Sequence, residues 1–369
     1  MGGQRSMVQL IEHLDRARID PLAICPGPGE LTEYLESRGC PVVHIPLHHI
    51  KPRTLAAVWR SSRRIRRLLR TRAIDIVSPD APRDAFTCGL AKIGTGTRMV
   101  WFVRLTAPHD LDWLLERWAD GMIGVSEATR RRFSSSARVS TRYRTIFDGV
   151  DVGLFQPVDD RAALRRSLAL PEDRFILLFV GQIKEGKGVL DIVDAMALVG
   201  PRPLLLIIGS PTPQAILEEI ERRSRANGTS AQIRVLAQQE GIHRWIQSAD
   251  LLVSGSHQDT EGLSRVLFEA MACGTIPVAT DIRGNREAVT PETGVLVPER
   301  SPTELARAIT DLMDAPVARL AALRAAGVRH AREHFDIRAH ARAVADFYRE
   351  VLARAERRTD LPRTEEHRR

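Results

Sequence analysis

The sequence predicts an α/β protein of two doubly wound domains, each a mostly parallel sheet with helices on its faces. Short apolar runs alternate with helical stretches through the first half, a second alternation starts at Phe175, and a non-periodic segment separates the two. At 369 residues the chain is also long for one core. In the first half, strands are expected at residues 22–25, 42–45, 74–77, 99–103, 122–125 and 143–146. In the second they are expected at 175–181, 204–209, 233–236, 251–254 and 275–280.

Asp148-Gly149-Val150-Asp151 to Phe155-Gln156-Pro157 reads as the link between domains. An amphipathic helix is expected from Met7 to Leu14, entered through a turn at Gly2-Gly3-Gln4-Arg5. Helices close the chain over 302–352. The resulting division is 1–150, 151–338, a final helix over 339–356 and a polar tail at 357–369.

The formal net charge is +8, with 54 Lys+Arg against 46 Asp+Glu. Residues 1–150 hold 24 cations and 15 acids, for +9, so the remainder is close to neutral. The densest stretch, 51–72, carries nine cations and no acid. Trp59, Ile65, Leu68 and Leu69 interleave there at helical spacing, which makes a basic amphipathic helix. It is read either as a solvated face or as a contact for an anionic membrane surface. A second basic stretch runs over 130–144. Aromatics are 5% of the chain and none is placed for base stacking, so nucleic acid is not expected as a partner. No run reaches the roughly 20 apolar residues of a membrane span, and no secretory signal opens the chain. Four scattered cysteines lack metal-ligand spacing and suit reduced thiols. The expected location is cytoplasmic, peripheral on the inner membrane face.

The densest chemistry lies in Glu261-Gly262-Leu263-Ser264-Arg265-Val266-Leu267-Phe268-Glu269, running into Ala270-Met271-Ala272-Cys273-Gly274. Ser264 is placed to cap a helix and Gly274 to end it. The amides of Gly262, Leu263 and Ser264 would then face one point, a helix-terminus site for phosphate. Acidic side chains beside it suit neutral hydroxyls, so the ligand carries both phosphate and hydroxyl groups.

This string resembles the donor site of the retaining glycosyltransferases of family 4, which have the GT-B architecture of two Rossmann-like domains facing a cleft. The resemblance implies that Glu261 reads hydroxyls of the transferred sugar and Glu269 the ribose of a nucleotide. Gly181-Gln182-Ile183-Lys184-Glu185-Gly186-Lys187-Gly188 is similar to the family's phosphate loop. Lys187 holds the family's lysine position, while Gln182 stands where an arginine is usual. Lys184 is read either as supplying that missing charge or as surface charge. Arg283-Gly284-Asn285-Arg286-Glu287 resembles a family loop at the cleft. The fold so implied sends the last helix back onto the first domain. It also places a hydrophobic strand before the Gly2-Gly3 turn. None is present here, and the expectation is an upstream start or a truncation that leaves ladder groups exposed.

The implied activity moves a sugar from a nucleotide-diphosphate sugar to a glycan or lipid-linked acceptor with retention. Lys187 and the loop amides would stabilise the leaving group's charge. No cofactor and no catalytic metal are expected. Glu261, Lys187 and Arg104 are the catalytic candidates. Arg104, ending an expected strand, is either a ligand for a phosphate or acidic acceptor or a strand-end ion pair. Gly2, Gly3, Asp80 and His109 are the other acceptor-side candidates, with His109 also readable as a plain loop residue. Ser126 is expected to cap a helix. Asp110-Leu111-Asp112 matches a metal-binding D-x-D by chance, at a helix start, and Cys25-Pro26-Gly27-Pro28-Gly29 reads as a turn. The competing readings are a non-catalytic nucleotide-sugar- or membrane-binding partner and a sugar-nucleotide epimerase of the same architecture.

Overall fold

The computed structural model describes residues 2–133, 139, 141–210, 213–258 and 261–359. Most of the expected polar tail and part of the second basic stretch lie outside the described residues. The first half forms two parallel sheets. β1 (Ala23–Cys25) pairs with β2 (Val42–His44), and β3 (Ile76–Val77), β4 (Arg98–Val103), β5 (Gly121–Gly124) and β6 (Tyr143–Thr145) pair in sequence order. Among the described residues, no strand joins the two pieces.

A helix joins them instead. Gly2–His13 sends Val8 and Ile11 into the cluster of Cys25, Leu35 and Cys40. Its Leu10, with Leu14 just past its end, meets Val100, Phe102 and Ile123 on the four-stranded sheet. The expected turn at Gly2–Arg5 is therefore corrected: these residues are helical. Gly3 allows this, because a Cβ there would lie 2.7 Å from Asp80 Oδ2.

The second half forms one six-stranded parallel sheet, ordered β12-β11-β10-β7-β8-β9. Its strands are β7 (Phe175–Val180), β8 (Pro203–Ile208), β9 (Ile233–Leu236), β10 (Leu251–Ser254), β11 (Ile276–Thr280) and β12 (Val295–Val297). β7, β8, β10 and β11 are almost fully buried and apolar, as strands covered on both faces must be. β12 was not expected from sequence; three residues give too little alternation. The winding direction reverses between β7 and β10. In such sheets the crevice past the strands' carboxyl ends at that reversal is the natural ligand site.

The chain returns to the first half after helix Val317–His334. Val150 N donates to Phe335 O (2.7 Å) and Ile337 N to Val150 O (3.0 Å). Helix Ile337–Thr359 then lays Ala341, Val344, Phe347 and Val351 on Val100, Phe102 and Ile123. The spacing of those four residues is one helical face.

The basic helix spans Leu55–Thr71. Val58, Ile65 and Leu69 are buried, whereas Leu55 and Trp59 are more than half exposed among the arginines. Trp59 thus belongs to the basic face rather than to the apolar one. Among the described residues, no helix is long and apolar enough to cross a membrane.

Phe347 is 2% exposed in the cluster joining the returning helix to the first half. Phe347→Ala is expected to lower stability by about 3–5 kcal/mol in urea unfolding followed by circular dichroism. A loss below about 1 kcal/mol would show that the returning helix is not docked there.

Candidate active site

A cleft of about 550 Å³ separates the two halves at the carboxyl ends of the strands. From the second half it is lined by Gly181, Gln182, Lys184, Lys187, Glu261, Gly262, Leu263, Ser264 and Glu269, every donor-side residue expected from sequence. From the first half come Gly3, Arg5, Asp80, Trp101, Arg104 and Asp148. His109 does not line it, and the side-chain position of Gly2 lies outside the described residues.

Strand ends explain the donor wall. The chain leaves β7 at Gly181 and makes a single 3-10 turn, Glu185–Lys187. Gly188 follows with φ of 63°, and a Cβ there would lie 1.9 Å from Gly255 O. Glycine meets both demands, the left-handed backbone and the close approach to the loop after β10. That approach brings Lys187 Nζ to 2.7 Å from Glu261 Oε1. Ser256 Oγ donates to Glu261 Oε2 at 2.8 Å, a contact the sequence did not suggest. Helix Arg265–Ala272 begins at Ser264. The expected side-chain cap is absent, so Ser264 contributes its backbone position alone. Gly274 ends the helix as expected, with φ of 73° and its N–H donating to Met271 O at 2.9 Å. Among the described residues, the amides of Gly262, Leu263 and Ser264 have no protein acceptor. They are donors without partners at the edge of a cavity.

The other wall is fixed by charge. Arg104 Nε donates to Asp80 Oδ1 (2.5 Å), Nη1 to Asp148 Oδ2 (2.6 Å) and Nη2 to Ser6 Oγ (3.1 Å). Ser6 Oγ in turn donates to Asp148 Oδ1 at 2.5 Å. Of the two readings open for Arg104, this geometry favours the ion pair. The two carboxylates respond differently. Burial raises the Asp80 pKa, and Arg104 offsets only part of that. Burial also opposes the charge on Asp148, but Arg104 and Arg265 outweigh it and hold the carboxyl well below the usual range. In the sequence, Asp148 falls at the start of the segment that links the domains. Its role depends on a residue 44 positions away, which no local pattern reveals.

His109 is exposed, and its ring Nδ1 accepts from Leu111 N at 3.2 Å, so it is a loop residue here. Asp112 pairs with Arg132 at the start of helix Asp112–Trp118, which agrees with reading its D-x-D match as chance.

The two walls touch. Ser126 Oγ accepts from Thr129 N at 3.3 Å, the expected cap, and donates to Gly262 O at 2.7 Å across the cleft. A Cβ on Gly262 would lie 2.2 Å from Arg104 O. The loop 283–287 does not line the cleft. Glu287 instead crosses to the first half, accepting from the amides of Glu127 and Ala128, each at 2.7 Å. Burial raises its pKa, and those amides offset part of the rise.

Asp148 sets an acid-stability expectation. Its folded pKa is depressed, so near the unfolded aspartate pKa of 3.8 the unfolded chain binds more protons. The stabilisation it provides is full above that pH and is lost as pH falls toward the folded value. Asp148→Asn should cost about 3 kcal/mol at neutral pH and flatten the acid limb of the stability curve, measured by urea unfolding from pH 7 downward. An unchanged acid limb would remove Asp148 from this role.

Comparison with known proteins places the geometry. The model of "Glycosyltransferase Family 4" matches residues 1–154 and that of "Glycosyl transferases group 1" matches 160–332. A D-inositol 3-phosphate glycosyltransferase of Thermobispora bispora is 34% identical over 232 residues, 58% of this chain and 52% of that protein. The chain spans about half the length of the curated relatives it matches. The structure of Anabaena Alr3699/HepE in complex with UDP and glucose aligns with a TM-score of 0.81 at 18% identity, over 94% of this chain and 95% of that one. A glycosyltransferase from Rickettsia africae aligns with a TM-score of 0.84 at 17% identity, over 95% of both chains. The two family models together cover both halves, and the solved structures share the fold. The chain belongs to the family 4 type of GT-B glycosyltransferases.

Proposed function

We propose that this chain transfers a sugar from a nucleotide-diphosphate sugar to a glycan or lipid-linked acceptor, with retention and without a metal ion. One observation carries the reading. Lys187, Glu261 and three unpartnered amides converge at the winding reversal of the second sheet, facing a second wall across the cleft. The Anabaena structure binding UDP and glucose has this fold, which supports a nucleotide sugar.

The diphosphate takes the amides of Gly262, Leu263 and Ser264 together with Lys187, aided by Gln182 and Lys184. Glu261 accepts from sugar hydroxyls and Glu269 from the ribose. As the sugar–phosphate C–O bond breaks, the leaving oxygen gains charge, and Lys187 and the amides stabilise it. The acceptor hydroxyl forms the new C–O bond on the same face and its proton passes to the leaving phosphate. Contact between the walls keeps water low, which favours transfer over hydrolysis. On the acceptor wall, Asp80 is placed for a hydroxyl, Gly3 leaves room for it, and Arg104 holds the carboxylates in position. Curated relatives named D-inositol 3-phosphate glycosyltransferases make a phosphorylated polyol the competing acceptor.

The basic helix supplies the membrane part of the reading. Arg64, Arg66 and Arg70 donate to the backbone carbonyls of His44, of Leu90 and Ala91, and of Gly94. Lys51, Arg53, Arg60, Arg63, Arg67 and Arg72 remain on the exposed face with Leu55 and Trp59. The Arg63 guanidinium lies 4.7 Å over the Trp59 ring. Cations around an exposed indole suit an anionic inner membrane face, at about 1 kcal/mol per cation.

Transfer from UDP- and GDP-sugars is expected to persist in excess EDTA. Lys187→Ala should lower kcat by about 10²–10³-fold, and Glu261→Ala should cost a similar factor in kcat/KM. Radiolabelled-donor assays with lipid-linked and phosphorylated-polyol acceptors measure both. Unchanged activity in both variants would defeat the site. Nucleotide binding without turnover would favour the non-catalytic partner, and donor epimerised without acceptor would favour an epimerase.

Sedimentation with vesicles tests the membrane contact. Phosphatidylglycerol vesicles should retain the protein where phosphatidylcholine vesicles do not. Trp59→Ala combined with Arg60→Glu and Arg67→Glu should abolish retention. Equal retention on both lipids would leave the helix as a solvated face.

A further inference from the structure

Glu269 is 4% exposed, on a helix whose neighbouring Leu267, Phe268, Ala270 and Met271 are also buried. A carboxylate in that setting needs a partner to stay charged and fixed in direction. The side chain that reaches it is Arg265, one turn earlier, with Nη2 3.2 Å from Glu269 Oε1. Arg265 is 9% exposed and would be costly to bury against Glu269 alone. The same Nη2 also donates to Gln9 Oε1 on the first helix of the other half. Gln9 lies three residues after Ser6, which carries the Arg104 and Asp148 contacts, and the two occupy one face of helix Gly2–His13. Neither Gln9 nor Ser6 lines the cleft.

We infer that Gln9 and Arg265 are positioning residues for Glu269, so that the acceptor-side domain sets how well the donor's ribose is read. The inference rests on the proposed role of Glu269. Gln9 occupies one side of a guanidinium that otherwise turns on its long stem, and the guanidinium in turn fixes the carboxylate. Without Gln9, Arg265 loses its acceptor on the other domain and Glu269 loses its orientation. Loss of Gln9 is therefore expected to fall on the ribose hydroxyls, because Gln9 does not line the cleft, whereas Arg265 does. This coupling gives the donor site a reason to bind well only when the two halves are apposed.

The experiment is isothermal titration of UDP and GDP, and of their 2′,3′-dideoxy forms, against wild type, Glu269→Ala, Gln9→Leu and Arg265→Met. Gln9 is half-buried, and Gln9→Leu keeps its length, so folding is preserved; melting curves check it. Gln9→Leu is expected to weaken the ribonucleotide by about fivefold or more while leaving the dideoxy form unchanged. Arg265→Met should do the same, and adding Gln9→Leu to it should cost nothing further. Equal weakening of both nucleotide forms, or no change in either, overturns the inference and reduces Gln9 to a structural contact. Wild type binding neither UDP nor GDP, or Glu269→Ala leaving affinity unchanged, overturns instead the donor reading on which the inference stands.

Discussion

One buried guanidinium organises the acceptor-side wall. Arg104 directly follows β4 and holds Asp80 past β3, Asp148 past β6 and Ser6 on the first helix. Three segments far apart in sequence are thereby fixed to one planar group, whose donors diverge in set directions. An arginine this deep would be costly alone, and each carboxylate would be costly without it. The cluster therefore behaves as a unit. Trp101 Nε1 adds a bond to Asp80 O at 3.2 Å, tying the carboxylate's backbone to the same strand. The donors of Arg104 are taken by Asp80, Asp148 and Ser6, and that is why it does not read as a free phosphate ligand.

The donor wall depends on topology instead. A parallel sheet wound in two directions leaves a crevice where the windings part, and both donor loops leave strands that border it. Glycines let those loops come together: Gly188 against Gly255, and Gly262 against the end of β4. The halves are held face to face by an apolar cluster joining Val125 and Val150 to Leu263 and Phe335, and by small polar contacts. Ser126 reaches Gly262, Glu287 reaches two amides, and His340 on the returning helix meets Phe147 O at 2.6 Å.

What the sequence disclosed follows the same division. Both donor loops, 181–188 and 261–274, are short, local and marked by glycine, cap and carboxylate spacing. From them Gly181, Gln182, Lys184, Lys187, Glu261, Gly262, Leu263, Ser264 and Glu269 line the cleft. The eleven expected strands recur with shifts of at most two residues, and burial on both faces makes β7, β8, β10 and β11 plain apolar runs. The acceptor wall was nearly invisible. Ser6, Gln9 and Asp148 matter through partners between 98 and 256 positions away, or 44 in the case of Asp148 and Arg104. No periodicity carries that information. The basic helix was legible as amphipathic, but its aromatic residue was assigned to the wrong face. Spacing alone does not distinguish a tryptophan that packs inward from one that lies among arginines.

On the proposed reading, the Lys187–Glu261 pair accounts for acids beside a phosphate site. At 2.7 Å and with both side chains under a fifth exposed, each offsets the other's charge. Ser256 occupies the second oxygen of Glu261 and keeps it aimed. A ligand that brought phosphate alone would take Lys187 and leave a buried carboxylate without its cation. A free sugar would satisfy Glu261 and leave the cation unchanged. On the proposed reading, a nucleotide-diphosphate sugar replaces both partners at once: oxygens for the ammonium, hydroxyls for the carboxylate. Discrimination then comes from the cost of half-satisfied ligands rather than from the number of contacts, which is the way a site with buried polar groups rejects analogues that lack one of them.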